Sequence, residues 1–125
     1  MYANIIDEQA IAVYSALIRD NIRYRDFELT RPHDLRLVDE LIAIIIDTVV
    51  TTAKTIRIDG EDKPRALVTG ALLKLTHWDI EHVLNQFKGV TDRISKKKQY
   101  ILTMLYNAKL EGDAHYTNAV NADRQ

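Results

Sequence analysis

Apolar residues recur at helical spacing along most of this chain, and alternate clearly only once. Tyr14, Leu17, Ile18 and Ile22 mark a first helix from about Asp7 to Tyr24, with Asp7 able to cap it. Residues 26–33 read as a loop closed by Pro32. Asp34 is a good N-cap for a second helix. From Leu37 to Val50 the chain is almost wholly apolar, broken by Asp39, Glu40, Asp47 and Thr48. Arg36, Glu40, Ala43, Asp47 and Thr51 fall on one line of that helix and leave the rest to face neighbours, so this is the central core helix. Its β-branched runs, Ile44-Ile45-Ile46 and Val49-Val50, also suit a strand, but the length decides for helix.

The alternation is at Thr55-Ile56-Arg57-Ile58, followed by Asp59-Gly60, which is a strand and turn signal without an obvious second strand. Pro64 suits the first turn of a third helix, Pro64 to about Leu75. Thr76 followed by Asp79 has the spacing of a capping box, with Asp in place of the usual Glu, and opens a fourth helix. Ile80, Val83, Leu84 and Phe87 are its apolar stripe and Gly89 its stop. A fifth helix spans about Ser95 to Ala108, with Ile94, Ile101, Leu105 and Ala108 inward and Gly112 as its breaker. The tail, Asp113 to Gln125, leaves room for a short last helix. The fold expected is all-α, about five to six helices in a single domain over residues 1–125, with at most a short β-ribbon around residues 54–60.

Composition narrows the class. An apolar content of 46% over 125 residues fits one globule with a real core. No apolar run is long enough for a membrane helix, and the N-terminus lacks the basic region of a secretory signal. Cysteine is absent, so disulfides and thiolate metal sites are excluded, and a cytoplasmic location is compatible with that. The net charge of −1 hides an asymmetry: residues 1–62 carry seven basic and twelve acidic side chains, residues 63–125 ten and six. Lys88, Arg93, Lys96, Lys97 and Lys98 crowd one window against Asp92 alone. That is a modest sign of an anionic partner.

The window lies at the start of the fifth helix, where the dipole disfavours cations by about 0.3–1 kcal/mol each and an anion would reverse the sign. Lys96, Tyr100, Thr103 and Asn107 line one face of that helix, a surface suited to phosphates and stacked bases. The plainer alternative is that the lysines are solvated and that Tyr100 and Tyr106 pack at the core edge. Trp78 reads either as a half-buried packing residue, the commoner case, or as an exposed partner anchor.

Enzyme chemistry finds little support. The glycines at 60, 70, 89 and 112 are scattered and form no phosphate loop. His77 and His82, five apart, lie on different faces and cannot make the i, i+4 pair of a zinc helix. They read as surface histidines, with His77 able to pair with Glu81. Asp59, Glu61 and Asp62 form a plain acidic turn without the spacing of a calcium loop. Neither metal nor cofactor is expected, and the chain reads as non-enzymatic.

Read in order, several segments resemble one family. Tyr14, Leu17-Ile18, Asn21-Ile22 and Tyr24 look like its first helix, and Thr55-Ile56-Arg57-Ile58 with Gly60 and Pro64 are similar to its most distinctive string. Leu73-Lys74-Leu75, the Ile80 to Leu84 helix, the run Tyr100 to Ala108, and Tyr116, Val120-Asn121 and Asp123 follow at the family's spacing. The family is the C-terminal domain of unknown function of replication initiator protein A-like proteins, from mobile elements of Gram-positive gut bacteria. The likeness covers Tyr14 to Asp123. It implies a small helical domain, loosely related to the C-terminal module of DnaD-type primosome proteins, in which the stretch Ile94 to Ala108 looks like a helix implicated in contacts with single-stranded DNA and partners. Full-length initiators carry an N-terminal winged-helix domain for which this chain has no room, so an isolated domain is expected. Asp79 and Ala122 stand where the family usually has histidine, and Lys109 where it has proline.

The expectation is therefore a replication-initiation accessory domain that recruits host proteins such as primase or helicase loader. It would contact DNA through Lys88, Arg93, Lys96, Lys97, Lys98 and Tyr100. The alternative is a protein-interaction or oligomerisation module without nucleic acid.

Overall fold

The computed structural model describes the backbone of residues 2–88 and 97–123, and the side chains of residues 8–87 and 98–112. Among these the elements run α1 Tyr2–Asn21, α2 Tyr24–Thr30, a 3-10 turn Pro32–Asp34, α3 Leu35–Val49, β1 Thr55–Ile58, β2 Glu61–Pro64, α4 Arg65–Leu72, α5 His77–Lys88 and α6 Lys97–Asp123. The fold is mainly α with one antiparallel hairpin.

The apolar density of the second expected helix becomes the core face of α3. Val38, Leu41, Ile42, Ile44 and Ile45 are buried there, and α1, α4, α5 and α6 all pack on it. From α6, Ile101, Leu102, Met104, Leu105, Tyr106 and Ala108 enter the same core. Ile80, Val83 and Leu84 of α5 are fully buried and Phe87 packs beside them, as their spacing predicts.

The strand signal has a partner after all. Ile58 pairs with Glu61 and Thr55 with Pro64, which leaves Asp59-Gly60 as a two-residue loop. Both loop residues have positive φ, 52° and 80°, the twist that fits a tight hairpin and the reason for glycine at the second position. Ile56 and Ile58 point into the core. Glu61, Asp62 and Lys63 give no apolar alternation, so β2 is invisible to pattern reading. Arg57–Asp62 across the strands at 3.1 Å and Lys63–Glu61 within β2 at 3.6 Å absorb the charge of the acidic turn.

Five boundaries differ from expectation. The first helix starts at Tyr2, so Asp7 lies within it and does not cap it. Nor does it run on to Tyr24: it ends at Asn21, and Arg23 adopts the left-handed conformation with φ 53° and ψ 61°. The expected loop at 26–33 is largely helix α2, because that kink turns Phe27 into the core, fully buried. The third helix is shorter than read, since β2 runs through Pro64 and a turn follows Leu72. Finally, Gly112 does not end the fifth helix, and no separate tail helix forms: α6 continues through to Asp123. The glycine is there for close approach, as a Cβ at this position would lie 2.7 Å from Asp79 Oδ1.

Candidate nucleic-acid interface

The expected basic site falls largely outside the described residues. Arg93 and Lys96 lie outside them, and of Lys88 and Lys97 only the helical backbone is described. What is described is the first turn of α6. Lys98 and Gln99 are exposed, and Tyr100 is 37% exposed. The turn is anchored from two sides. Lys98 Nζ forms an ion pair with Asp47 of α3, and Gln99 Nε2 donates to the carbonyl oxygen of Arg57 on β1. Lys98 therefore does not present a bare charge: a carboxylate shares it. Both side chains of the pair are more than half exposed, so water and salt screen it and its net stabilisation is small.

The expected face of Lys96, Tyr100, Thr103 and Asn107 is not a continuous open surface. Thr103 Oγ1 accepts the backbone N–H of Asp59 at 3.4 Å, so the hairpin turn sits on it, and Asn107 is half-buried. Tyr106 is buried, with Lys63 Nζ 5.8 Å above its ring. Tyr100 alone of the two tyrosines reaches solvent at the core edge. Beside this turn, Glu40, Ala43, Ile44, Asp47 and Lys98 line an open groove of about 410 Å³, which uses the polar line of α3 read from the sequence.

The start of α5 carries the most developed polar chemistry. Thr76 N and Oγ1 reach Asp79 Oδ2 at 2.9 and 3.1 Å, and Asp79 N approaches Thr76 Oγ1 at 3.4 Å. This is the reciprocal capping box its spacing predicts. Lys109 Nζ lies 3.7 Å from the same oxygen of Asp79, with both side chains nearly buried. One residue earlier, His77 is buried, which corrects its reading as a surface histidine. Its ring stacks on Phe27 at 4.2 Å between centroids. Nδ1 lies 3.0 Å from the carbonyl oxygen of Ile22 and must donate, because a carbonyl only accepts. Nε2 lies 2.7 Å from Glu81 Oε1, the i, i+4 pairing expected. Both ring nitrogens are thereby engaged in hydrogen bonds. The buried histidine ties the α1–α2 turn, α2 and α5 together.

His82, in contrast, is half exposed and 3.5 Å from Glu111. Trp78 is 68% exposed with its ring edge-on to His77, which corrects its reading as a half-buried packing residue. Sequence reasoning had no signal for the burial of His77, since Ile22 and Phe27 lie some fifty residues upstream.

Among the described residues no group of His, Asp and Glu is placed to hold a metal, and no helix is long and apolar enough to cross a membrane. A model of DUF6017, a family of unknown function, matches residues 3–125. The chain belongs to this family. No curated protein and no solved structure matches the DUF6017 chain. The residues that carry the match include all the elements above, so the capping box, the buried His77 and the first turn of α6 all lie within the DUF6017 domain.

Proposed function

We propose that this DUF6017 domain is a non-enzymatic accessory module of replication initiation, in the cytoplasm, that recruits host replication proteins such as a primase or helicase loader. DNA contact falls to the start of α6. The observation that carries the DNA half of this reading is the exposed first turn of α6, where a cation, an amide and a tyrosine ring stand in consecutive positions, Lys98, Gln99 and Tyr100. Aromatic stacking with adjacent cations is how sequence-tolerant single-strand binding works. The replication setting rests on the resemblance set out above.

Asp47 sharpens the test. Because its carboxylate holds Lys98, a phosphate must compete for that ammonium. Asp47→Asn should strengthen binding to a single-stranded oligonucleotide, and replacing Lys96, Lys97 and Lys98 with alanine should weaken it and flatten the salt dependence by up to about three phosphate contacts. Tyr100→Ala should cost roughly 1–3 kcal/mol if the ring stacks on a base. Absence of binding at low salt, or binding unchanged in the triple variant, refutes the DNA role.

One observation favours a second reading, a protein-interaction module without nucleic acid: Trp78 stands out from α5, exposed and steadied by His77. Exposed tryptophan is typical of interface anchors. Under this reading Trp78→Ala abolishes partner capture, while the lysine variants leave it intact.

A further inference from the structure

The groove beside the first turn of α6 has a chemistry of its own. Its floor is apolar, Ala43 and Ile44 of α3, and Glu40, Asp47 and Lys98 stand around it. Ala43 keeps it open, because a single methyl stands on the outer line of α3 between two longer side chains, Glu40 and Asp47, about 10 Å apart along the helix. Its volume of about 410 Å³ is that of a small-ligand site. Two carboxylates against one ammonium make the groove acidic, while the sequence around Lys98 is basic. A phosphate is therefore repelled from the groove and drawn to the lysines. What the groove suits is a flat apolar ring whose edge donates hydrogens.

We infer that the groove holds one unstacked guanine base of a single strand. The inference rests on the DNA reading above and adds the base. Lys98 Nζ only donates and the Asp47 carboxylate only accepts, and their ion pair sets the two side by side. Their side chains are 61% and 60% exposed, so a ligand reaches both. A carboxylate accepts several hydrogens at once, and Asp47 can keep Lys98 while taking more. Guanine presents O6, N1–H and the N2 amino group in that order along one edge. O6 accepts from Lys98, and N1–H and N2–H donate to Asp47. Thymine offers one N–H between two carbonyls, and cytosine and adenine each offer one amino group beside an acceptor. Guanine alone sets two donors next to an acceptor. Its ring lies on Ala43 and Ile44, and its phosphates stay outside, on the lysine turn.

The test is fluorescence anisotropy of labelled strands with the whole chain at low salt. The strands are an oligothymidylate, the same strand with one central deoxyguanosine, and the same with deoxyinosine, which lacks the N2 amino group. The guanine strand should bind about tenfold tighter than the thymidine strand, the worth of one more hydrogen bond to a charged group. The inosine strand should fall back to the thymidine level. Ala43→Leu fills the groove without changing a charge. It should abolish the guanine preference and leave the affinity and salt dependence of the thymidine strand as they were. Asp47→Asn should also abolish the preference, yet raise affinity for the thymidine strand by releasing Lys98 to phosphate. Positions 43 and 47 are exposed, so both variants should fold. Guanosine monophosphate, without flanking phosphates, should compete only at far higher concentration than the strand. Equal competition assigns the groove to a free nucleotide and overturns the inference. Strands that all bind alike, or a guanine preference that survives Ala43→Leu or inosine, overturn it and leave the DNA reading standing. No binding of any strand overturns both.

Discussion

Gly112→Ala asks whether helix propensity or close packing controls the middle of α6. In an open helix, alanine for glycine stabilises by about 0.8–1.0 kcal/mol. Here the new methyl would sit 2.7 Å from Asp79 Oδ1, inside van der Waals contact. A long side chain could swing its end away. Asp79 cannot do so freely, since it is short and buried, and its other oxygen is held by Thr76 N at 2.9 Å, Thr76 Oγ1 at 3.1 Å and Lys109 Nζ at 3.7 Å. Rotating the carboxylate gives up the cap, about 0.5–2 kcal/mol, and keeping it forces α5 and α6 apart at an overpacking cost of about 1–3 kcal/mol. The clash outweighs the propensity gain, and the net should be a loss of about 1 kcal/mol, a fall in Tm of roughly 3–6 °C. The decisive measurement is a double-mutant cycle by urea denaturation with Asp79→Ala. Once the carboxylate is gone, Gly112→Ala should stabilise by about its propensity value, giving a coupling of about 2 kcal/mol. If Gly112→Ala raises the stability of the parent by about 1 kcal/mol, the argument from close approach is wrong.

Three further outcomes are expected. Ile45→Asp places an unpaired charge at a fully buried site on α3 and should unfold the domain; a melting temperature within a degree or two of the parent, read by circular dichroism, would remove α3 from the core. Thr76→Ala should cost about 0.5–2 kcal/mol in chemical denaturation and Thr76→Gly less, whereas equal stability for all three would deny the cap. Tyr24 donates its hydroxyl to Asp39 Oδ1 at 2.6 Å, and this hydrogen bond, with some burial, raises its pKa above the ordinary 10.0. A pKa raised by folding means stability that is full below the unfolded value and lost as pH climbs through the folded one. The stability gap between parent and Tyr24→Phe should therefore be constant from neutral pH to about 9 and close above about 10, and a gap that widens with alkali refutes it.

What the sequence reveals and what it hides follows from the range of the interactions. The α3 and α5 stripes, the Thr76 cap and the Asp59-Gly60 turn rest on residues within a few positions of each other, and all are legible. The stretch Tyr24 to Thr30 is mostly charged and polar, its apolar Phe27 and Leu29 stand two apart and give no helical period, and the kink at Arg23 leaves no mark in composition. Gly112 has two meanings, breaker or close contact, and only the position of Asp79 chooses between them. Asp79 and Lys109, two of the three positions where the chain departs from the resembled family, turn out to face each other at 3.7 Å. At the candidate interface the lysine window is plain in the sequence. The Asp47 carboxylate that shares Lys98 is not, because it lies fifty-one residues upstream on α3.

The links from the α1–α2 region to the end of α4 and to α5 have a kinetic consequence. Asn21 Nδ2 donates to Leu73 O at 2.8 Å, His77 Nδ1 to Ile22 O at 3.0 Å, and Arg31 Nη2 to Asn85 Oδ1 at 3.1 Å, across sequence separations of 52, 55 and 54 residues. Three contacts with nearly the same offset close nearly the same loop. The entropy of closing a loop of this size is incurred at the first contact, and the other two then form at little additional loop entropy. The α1–α2 corner and the α4–α5 unit should therefore dock in a single kinetic step, late relative to the local hairpin, with destabilising changes at Asn21, His77 and Arg31 slowing folding or speeding unfolding in the same proportion.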